Sequence, residues 1–177
     1  GTGEFSKDGN GLYYTSDEST EFRHLRYYDF KSKNHSIITK DIKWDVRSFT
    51  ISENGKYIAF VTNEDAISKL HVLKTKDYKT VKLPNLPIGQ ISGLKFNPDN
   101  NRLALTLNTP KSPGDIYVVN IKKRILTQWT ESEIGGLNND QFVVPELVHV
   151  NSFDGLKISG FLYRPKTKGP HPVIISI

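Results

Sequence analysis

Short apolar stretches separated by polar turns run through the first 130 residues of the chain. Three of them hold apolar residues at successive positions: LYYT from Leu12, YIAFVT from Tyr57 and LALTL from Leu103. Continuous apolar runs of this length indicate strands that are covered on both faces. No apolar pattern with a helical period and helix caps occurs between residues 1 and 130. The sequence therefore predicts an all-β fold for this part of the chain.

The apolar stretches recur with a period of about 45 residues. The segments SKDGNGLYYTSD, SENGKYIAFVTN and NPDNNRLALTLN begin at Ser6, Ser52 and Asn97, and they align without gaps at spacings of 46 and 45 residues. A second set keeps the same period and comprises LRYYDF from Leu25, LHVLKT from Leu70 and IYVVNI from Ile116. Two separate segments with one period indicate a repeated structural unit.

Turn residues divide each repeat into four short strands. Asp8-Gly9 and Asn54-Gly55 predict tight turns between strands, because a positive φ is needed there. Asn100 replaces glycine in the third repeat, and asparagine also tolerates the left-handed region. In that repeat the predicted strands are ISGLKFN, RLALTLN, DIYVVNI and ILTQW.

Four-stranded antiparallel units of this length, packed face to face, are typical of a β-propeller. We expect three blades, at residues 1–40, 41–85 and 86–130. A propeller ring holds about 4 to 8 blades, so we expect the chain to be a piece of a longer protein. An open arc would expose apolar residues on its outer blades, with Tyr13, Ile58 and Leu103 as candidates, and we therefore expect self-association through the open propeller faces.

The repeat stops after residue 130. Residues 131–144 are polar and contain glycine, which predicts a linker. The segments ELVHVNSF and LKISGFLYRP flank Asp154-Gly155 and predict a β-hairpin. The apolar run from Val173 to Ile177 predicts a buried central strand. A hairpin followed by such a strand suits the first strands of an α/β domain over residues 145–177.

Composition narrows the range of partners. Hydrophobic residues make up 36% and charged residues 24% of the 177 residues, which is typical of a globular protein. The net charge of +5 comes from small Lys and Arg clusters at predicted turns, so the sequence favours neither a nucleic-acid partner nor a membrane. The chain has no Cys, which excludes disulfides and thiolate metal sites. This leaves the compartment open, with a cytoplasmic location favoured.

No residue stands out as catalytic, cofactor-binding or metal-binding. His149 lies in a predicted strand and His171 in a proline-rich turn, and the remaining histidines lack metal-ligand spacing. The carboxylates of the linker suit a solvated segment, although a pair of them could flank a cleft; they are Glu131, Glu133 and Asp140. Arg164, at the end of a strand, suits a surface role better than substrate contact. The sequence contains no G-x-S-x-G nucleophile motif.

The C-terminal segment SFDGLKISGFLYRPKTKGPHPVIISI resembles the entry into the catalytic domain of the prolyl oligopeptidase family, on its acylaminoacyl-peptidase branch. The matching residues are Ser152, Phe153, Asp154, Gly155, Ile158, Gly160, Leu162, Tyr163, Pro165, Gly169, Pro170, Pro172, Val173 and Ile174. Lys7 and Glu53 depart from the family's blade pattern, which commonly has proline there.

The resemblance implies a β-propeller followed by an α/β-hydrolase domain with a Ser-Asp-His triad. The parent protein would be a serine peptidase that hydrolyses short peptides, and its propeller would gate their access. The triad would lie downstream, and this chain alone would be inactive and would need no cofactor. The alternative is a β-propeller scaffold for protein partners, of the WD-repeat or Tol type, without enzymatic activity. The segment from Pro145 onward distinguishes the two, because a pure scaffold has no need of it.

Overall fold

The computed structural model describes residues 2–176, and its regular secondary structure is almost wholly antiparallel β-strand. Three consecutive sheets, which we call blades 1, 2 and 3, account for residues 3–37, 46–74 and 90–128. A separate two-stranded hairpin follows. The sheets confirm the all-β fold and the partial propeller expected from the sequence.

Blade 1 contains four strands in sequence order, each paired with the next. They are β1 (Gly3–Phe5), β2 (Gly11–Ser16), β3 (His24–Asp29) and β4 (His35–Ile37). The turn between β1 and β2 has Gly9 at φ 74°, which confirms the turn predicted from Asp8-Gly9.

Blade 2 is formed by β5 (Val46–Ile51), β6 (Tyr57–Glu64) and β7 (Ile67–Lys74). A fourth strand is reduced to one bridge between Leu73 and Thr80 and to the bond from Val81 N to the Val72 carbonyl, 2.8 Å long. The following segment contains Pro84 and Pro87, which lack the amide hydrogen that a strand ladder requires. The middle sheet therefore has three full strands where the repeat predicts four.

Blade 3 contains β8 (Gln90–Phe96), β9 (Arg102–Thr109), β10 (Ser112–Asn120) and β11 (Ile125–Gln128). The segment PKSPG lies between the predicted strands RLALTLN and DIYVVNI, and its last three residues belong to β10. A bulge between Ser112 and Asp115 makes this possible, because the extra residues are accommodated without breaking the pairing with β9.

The blades pack on one another through their faces, and the first strand of blade 2, β5, lies beside the first strand of blade 3, β8. One apolar cluster joins blades 1 and 2 and includes Tyr13, Leu25, Ile58 and Phe60. A second joins blades 2 and 3 and includes Ala59, Val61, Leu103 and Leu105. Stacking of neighbouring sheets through apolar faces is the packing that a propeller requires.

Burial of the second strands depends on blade position. Strand β6 is buried at five successive residues, Ile58 to Thr62, which confirms coverage on both faces. Strands β2 and β9 alternate between buried and half-buried residues instead, because only one side of blades 1 and 3 has a neighbour. Tyr13, Ile58 and Leu103, expected on the open faces, are at most 5% exposed because they face the interior of the arc.

The segment after blade 3 contains a short 3-10 helix, Asn139–Gln141, and then the hairpin β12 (Glu146–Asn151) and β13 (Lys157–Leu162). Gly155 in its turn has φ 83°, so the predicted hairpin is confirmed. Residues 163–176 form no regular element, and Val173, Ile174 and Ile175 are more than 80% exposed. The buried strand predicted there is wrong for the described residues, since no strand pairs with it and no layer covers it; Ile177 lies outside them.

Candidate functional site

Turns and linker residues meet the hairpin at one end of blades 2 and 3, which we call the docking end. It comprises the β6–β7 turn at Asp65-Ala66, the β9–β10 turn at Pro110-Lys111 and residues 131–145. Asp65 and Ala66 both have positive φ, 52° and 63°, as a tight two-residue hairpin turn requires. This turn presents the Asp65 carboxylate to the hairpin.

Asp65 links blade 2 to the hairpin through two side chains. Its Oδ2 lies 3.2 Å from Nε2 of His149, and its Oδ1 accepts a hydrogen bond from the Ser159 hydroxyl. His149 and Ser159 are direct cross-strand partners in the hairpin, so their side chains leave the same face. The hydrogen bonds from Ser159 and His149 hold the pKa of Asp65 below its usual value. The carboxylate is therefore kept ionised while the hairpin is docked.

These residues are of the three types found in a serine-protease triad, but their arrangement differs. A triad requires the histidine between the serine and the acid, so that it can take the proton from the serine hydroxyl. In this trio Asp65 lies between the other two and accepts from both. The trio can therefore hold the hairpin on the blade, but it cannot activate Ser159 as a nucleophile.

A second polar cluster lies beside Asp65, at the end of blade 2. Glu64 accepts hydrogen bonds from Lys69 at 2.7 Å and from Thr62 at 2.9 Å, and His71 Nε2 lies 3.3 Å from it. Burial would raise the pKa of Glu64, but the bonds from Lys69 and Thr62 outweigh it and leave the pKa lowered. Burial lowers the pKa of His71, against the attraction of Glu64.

The His71 ring also stacks on Phe60, with centroids 4.8 Å apart and an interplanar angle of 10°. A lowered pKa keeps this imidazole neutral near pH 7. Thr62 lies between the imidazole and Glu64 and contacts both, and its side chain is fully buried. The cluster therefore resembles a satisfied structural network between blades 1 and 2 more than a proton-transfer site.

Asp115 anchors the segment that leaves blade 3. Its side chain is 1% exposed and accepts hydrogen bonds from the hydroxyls of Ser112, Thr130 at 2.9 Å and Ser132 at 3.0 Å, with Gln128 Nε2 at 3.4 Å. These bonds, that from Ser112 above all, lower the pKa of Asp115. One buried carboxylate thus ties β10, β11 and the start of the linker together.

Two of the cavities at the docking end lie beside the hairpin and beside the linker. One of about 290 Å³ lies between blade ends and hairpin, lined among others by Ile67, Ile88, Phe161 and Tyr163. The other, of about 450 Å³, is lined by Asp115, Tyr117, Gln128, Glu131 and residues of the linker. Both combine apolar walls with a few polar groups, as small-molecule and peptide sites commonly do.

A third cavity of about 460 Å³ lies at the opposite end, between the turns of blades 1 and 2. Its wall includes Tyr13, Tyr27 and Tyr78, and burial raises the pKa values of Tyr13 and Tyr78. Lys7 at its rim pairs with Glu4 at 3.3 Å and with Glu53 at 3.7 Å. The hydroxyls of Tyr13 and Tyr78 therefore stay protonated at neutral pH, and the charged side chains of the cavity wall are Lys7, Asp8, Glu53 and Lys76.

The structure places the residues weighed in the sequence at separate points. His149 lies in a strand and joins the Asp65 contact, while His171 is exposed and bonds the Thr167 carbonyl at 3.0 Å. Arg164 pairs with Glu146 at 3.3 Å, an exposed contact that suits the surface role. Glu131 and Glu133 line different cavities of the docking end.

Asp65, Ser159 and Asp115 were not singled out in the sequence. Asp115 leaves a detectable signal, because alternation along β10 puts it on the same face as the apolar residues Tyr117 and Val119. Asp65 leaves none, since an acidic residue in a turn is ordinary and its partners lie 84 and 94 residues away.

Within residues 2–176, no three His, Asp or Glu side chains lie close enough together to hold a metal ion. Nor does any helix in that range have the length and apolar character needed to cross a bilayer.

The sequence matches the family described as the dipeptidyl peptidase IV (DPP IV) N-terminal region over residues 2–114. The match covers blades 1 and 2 and most of blade 3, and it excludes the C-terminal segment that carries the resemblance noted in the sequence. No curated protein matches the chain.

Solved structures of similar fold include three hydrolases. A prolyl endopeptidase, studied for inter-domain dynamics in catalysis and specificity, is 23% identical with a TM-score of 0.68, covering 89% of this chain and 23% of its own. Prolyl oligopeptidase B from Galerina marginata is 16% identical with a TM-score of 0.73, and the match covers 91% of this chain and 23% of the oligopeptidase. Puromycin hydrolase is 14% identical with a TM-score of 0.76, and the match covers 96% of this chain and 26% of the hydrolase. The chain thus spans about a quarter of the length of these proteins, and the likeness shows the fold.

Proposed function

Because the chain belongs to the family described as the dipeptidyl peptidase IV (DPP IV) N-terminal region, we propose that it is the non-catalytic propeller portion of a serine peptidase that hydrolyses short peptides. The match extends over more than half of the chain, and the propeller fold agrees with that of prolyl oligopeptidases and puromycin hydrolase. This shared propeller is the observation that carries the proposal.

In this proposal residues 145–176 begin an α/β-hydrolase domain of the acylaminoacyl-peptidase type. Support comes from the outer face of the hairpin, where Val150 is 59% and Ile158 51% exposed. Phe153, Leu156 and the apolar run at Val173 to Ile175 are exposed as well. Exposed apolar residues grouped in this way mark a surface that another layer covers. A hydrolase domain packed there would cover the hairpin and complete its sheet.

The propeller's part in the reaction would be selection of substrates by size. The docking end, with its cavities and the Asp65 contact, lies where the hairpin leads into the downstream domain. A peptide that reaches the active site would pass between propeller and hydrolase domain, whereas a folded protein would be too wide. Ser-Asp-His chemistry would be supplied by the downstream domain, so this chain would orient and admit substrate without touching the reacting bond.

A hydrolysis assay with acylaminoacyl and aminoacyl p-nitroanilides tests this proposal. The assay compares the chain alone with the polypeptide encoded by the full reading frame. We expect no turnover and no labelling by a serine-reactive fluorophosphonate for the 177-residue chain, and both for the longer polypeptide. Labelling of the chain by itself, or a longer polypeptide that stays unlabelled while folded, would contradict the proposal. The scaffold alternative predicts the second of these outcomes.

The two outer blades each leave one apolar face without a neighbouring blade. We include in the proposal that the chain self-associates through these faces, because each large apolar side chain kept in water forfeits roughly 1.5–3 kcal/mol.

A further inference from the structure

Six turns between strands lie at the end of the blades opposite the docking end, and we call this surface the turn end. Successive strands in each blade are antiparallel, so the turns after the first and the third strand reach the same end. Lys7 of blade 1 pairs with Glu53 of blade 2 at 3.7 Å, and Asn54 N in blade 2 donates to Asn100 Oδ1 in blade 3 at 3.0 Å. The turn end is therefore one continuous surface. Its turns are residues 6–10, 30–34, 52–56, 75–79, 97–101 and 121–124.

The positive charge of the chain is concentrated at this end. The six turns contain nine Lys or Arg and four Asp or Glu, a net charge of +5, which equals the formal net charge of all 177 residues. The segments on the docking side contain five Lys or Arg and nine Asp or Glu, a net charge of −4. They are residues 17–23, 38–45, 65–66, 80–89, 110–111 and 129–145. The molecule is therefore positive at the turn end and negative at the docking end.

The net positive charge lies in the turns after the third strands, which we call the basic row. Residues 30–34, 75–79 and 121–124 contain seven Lys or Arg and one acid, Asp77, which pairs with Lys79 at 3.3 Å. The six other basic side chains are exposed, and no Asp or Glu within residues 2–176 forms an ion pair with them. They are Lys31, Lys33, Lys76, Lys122, Lys123 and Arg124. Their attraction for an external anion is therefore not offset by a partner in the described part of the chain.

The repeat brings these cations together, although the three clusters are about 45 residues apart in the sequence. Lys33, Tyr78 and Arg124 occupy one position of the turn, because each has a positive φ (62°, 52° and 58°) and donates its N–H to the carbonyl four residues earlier. The three turns are therefore equivalent and project side by side from neighbouring blades. Along the sequence the same clusters look scattered, and no anionic partner was expected from them.

The chemistry of the basic row favours a membrane surface over a nucleic acid. Five of the six exposed cations are Lys, whose compact ammonium attracts phosphate and carboxylate groups without the fixed two-point geometry of Arg. Single-stranded nucleic acids are commonly held by exposed aromatic side chains on which bases stack, whereas Phe30 and Tyr78 in these turns are half-buried. A layer of lipid headgroups requires neither feature. The negative docking end would be repelled by an anionic surface, so the charge distribution also selects one orientation.

We propose that the basic row binds a membrane surface rich in anionic lipids, with the turn end facing the bilayer and the docking end facing away from it. Each Lys or Arg held near such a surface strengthens binding about fivefold. A further blade of a propeller packs on the face of its neighbour, whereas the basic row lies at strand ends, so a blade packed on blade 1 or blade 3 would leave it accessible. The attachment does not depend on peptidase activity.

Cosedimentation with lipid vesicles tests the proposal, both for the chain and for the polypeptide encoded by the full reading frame. Both should bind vesicles of phosphatidylcholine that contain about 30% phosphatidylserine at about 0.1 M salt, because the anionic lipid attracts the basic row. Both should leave these vesicles at about 0.5 M salt, because salt screens the charges. Neither should bind vesicles of phosphatidylcholine alone.

A triple variant removes one cation of the basic row from each blade: Lys31→Gln, Lys76→Gln and Lys122→Gln. Its affinity for the phosphatidylserine vesicles should fall roughly 100-fold, which is the product of three fivefold losses. All three side chains are exposed and outside the apolar clusters, so the variant should fold, and circular dichroism checks this.

A matched control removes the same charge from exposed positions elsewhere in the chain: Lys40→Gln, Lys43→Gln and Lys157→Gln. It should bind the vesicles within about threefold of the wild type, because these side chains face away from the bilayer in the proposed orientation.

Four results would overturn the proposal. They are a wild-type chain that does not bind the phosphatidylserine vesicles, equal losses of affinity in the two triple variants, binding by the chain but not by the longer polypeptide, and tighter binding to duplex DNA than to vesicles of equal phosphate concentration. The third would show that the longer protein covers the turn end, and the fourth would assign the basic row to nucleic acid. None of them bears on p-nitroanilide hydrolysis, which tests the proposed function separately.

Discussion

The blades and the C-terminal hairpin are both antiparallel β-structure with a positive-φ glycine in a turn, yet different interactions hold them. Within the blades, Phe60 and Leu105 are each 1% exposed, packed on neighbouring sheets. On the hairpin, Val150 and Ile158 face outward, and the polar contacts of Asp65 with His149 and Ser159 tie it to blade 2. The local residue pattern is enough to form a hairpin in both regions. A hydrophobic core forms only where a neighbouring sheet packs against the strands.

The largest expected difference between these regions is in the cost of removing an apolar side chain. Leu103→Ala should lower the free energy of unfolding by about 2–5 kcal/mol, because Leu103 is fully buried between blades 2 and 3 and a cavity would remain. The matched hairpin change Val150→Ala should cost less than about 0.5 kcal/mol, since Val150 is largely exposed. Urea unfolding at low protein concentration measures both; similar losses would mean that hairpin and blades share one core.

A smaller effect is expected at the buried carboxylate of Asp115, which anchors the start of the linker to blade 3. Asp115→Asn should lower the melting temperature, because the amide nitrogen would replace an oxygen that accepts from Ser112 and Gln128 or from Thr130 and Ser132. Glu131→Gln in the linker is the control and should change it little. Hydrogen exchange should locate the loosening in β11 and residues 129–132.

The lowered pKa of Asp115 also predicts how the stability of the chain changes with pH. Its pKa is lowered from the usual 3.8, so its contribution to stability is complete above about pH 3.8 and is lost as pH falls through the lower folded-state value. The wild-type chain should therefore lose more stability than Asp115→Asn on acidification through this range. Parallel curves for the two proteins would show that the carboxylate is not ionised in the fold.

The smallest effect should come from the contact between blade 2 and the hairpin. Asp65→Asn should release the hairpin without unfolding the blades, because the contact is partly exposed and the blade cores do not include it. Hydrogen exchange in residues 146–162 should accelerate while that of β6 stays unchanged, and Asp17→Asn in a blade 1 loop should alter neither. Acceleration in β6 as well would show that the hairpin supports the blade. Acidification should approach the effect of the substitution only as pH falls from about 3.8 through the lower pKa that Asp65 has while the hairpin is docked.

Much of the blade architecture follows from local patterns. The 45-residue period predicts equivalent positions such as Tyr13, Ala59 and Ala104, and the strand register confirms that they are equivalent. The turns at Gly9, Gly55 and Asn100 have the positive φ values that their residue types predict. Such features depend on neighbours within a few residues and can therefore be inferred from a single sequence.

Burial and long-range contacts were harder to infer. The apolar run at Val173 predicts a buried strand, but an apolar run is buried only where strands and a covering layer surround it. The same limit explains why Tyr13, Ile58 and Leu103 were expected on open faces, since alternation identifies a face without saying which neighbour lies against it. The Asp65 contact is beyond local reasoning altogether, because it joins residues 84 and 94 positions apart.

The repeat, the blade strands, most turns and the C-terminal hairpin can be predicted from residue order, because they depend on backbone preferences and alternation over short distances. The covered face of each blade and the donors of the Asp115 and Asp65 carboxylates became known only from the tertiary structure. Solvent exclusion and charge pairing are properties of neighbours in space, and the order of residues along the chain does not specify them directly.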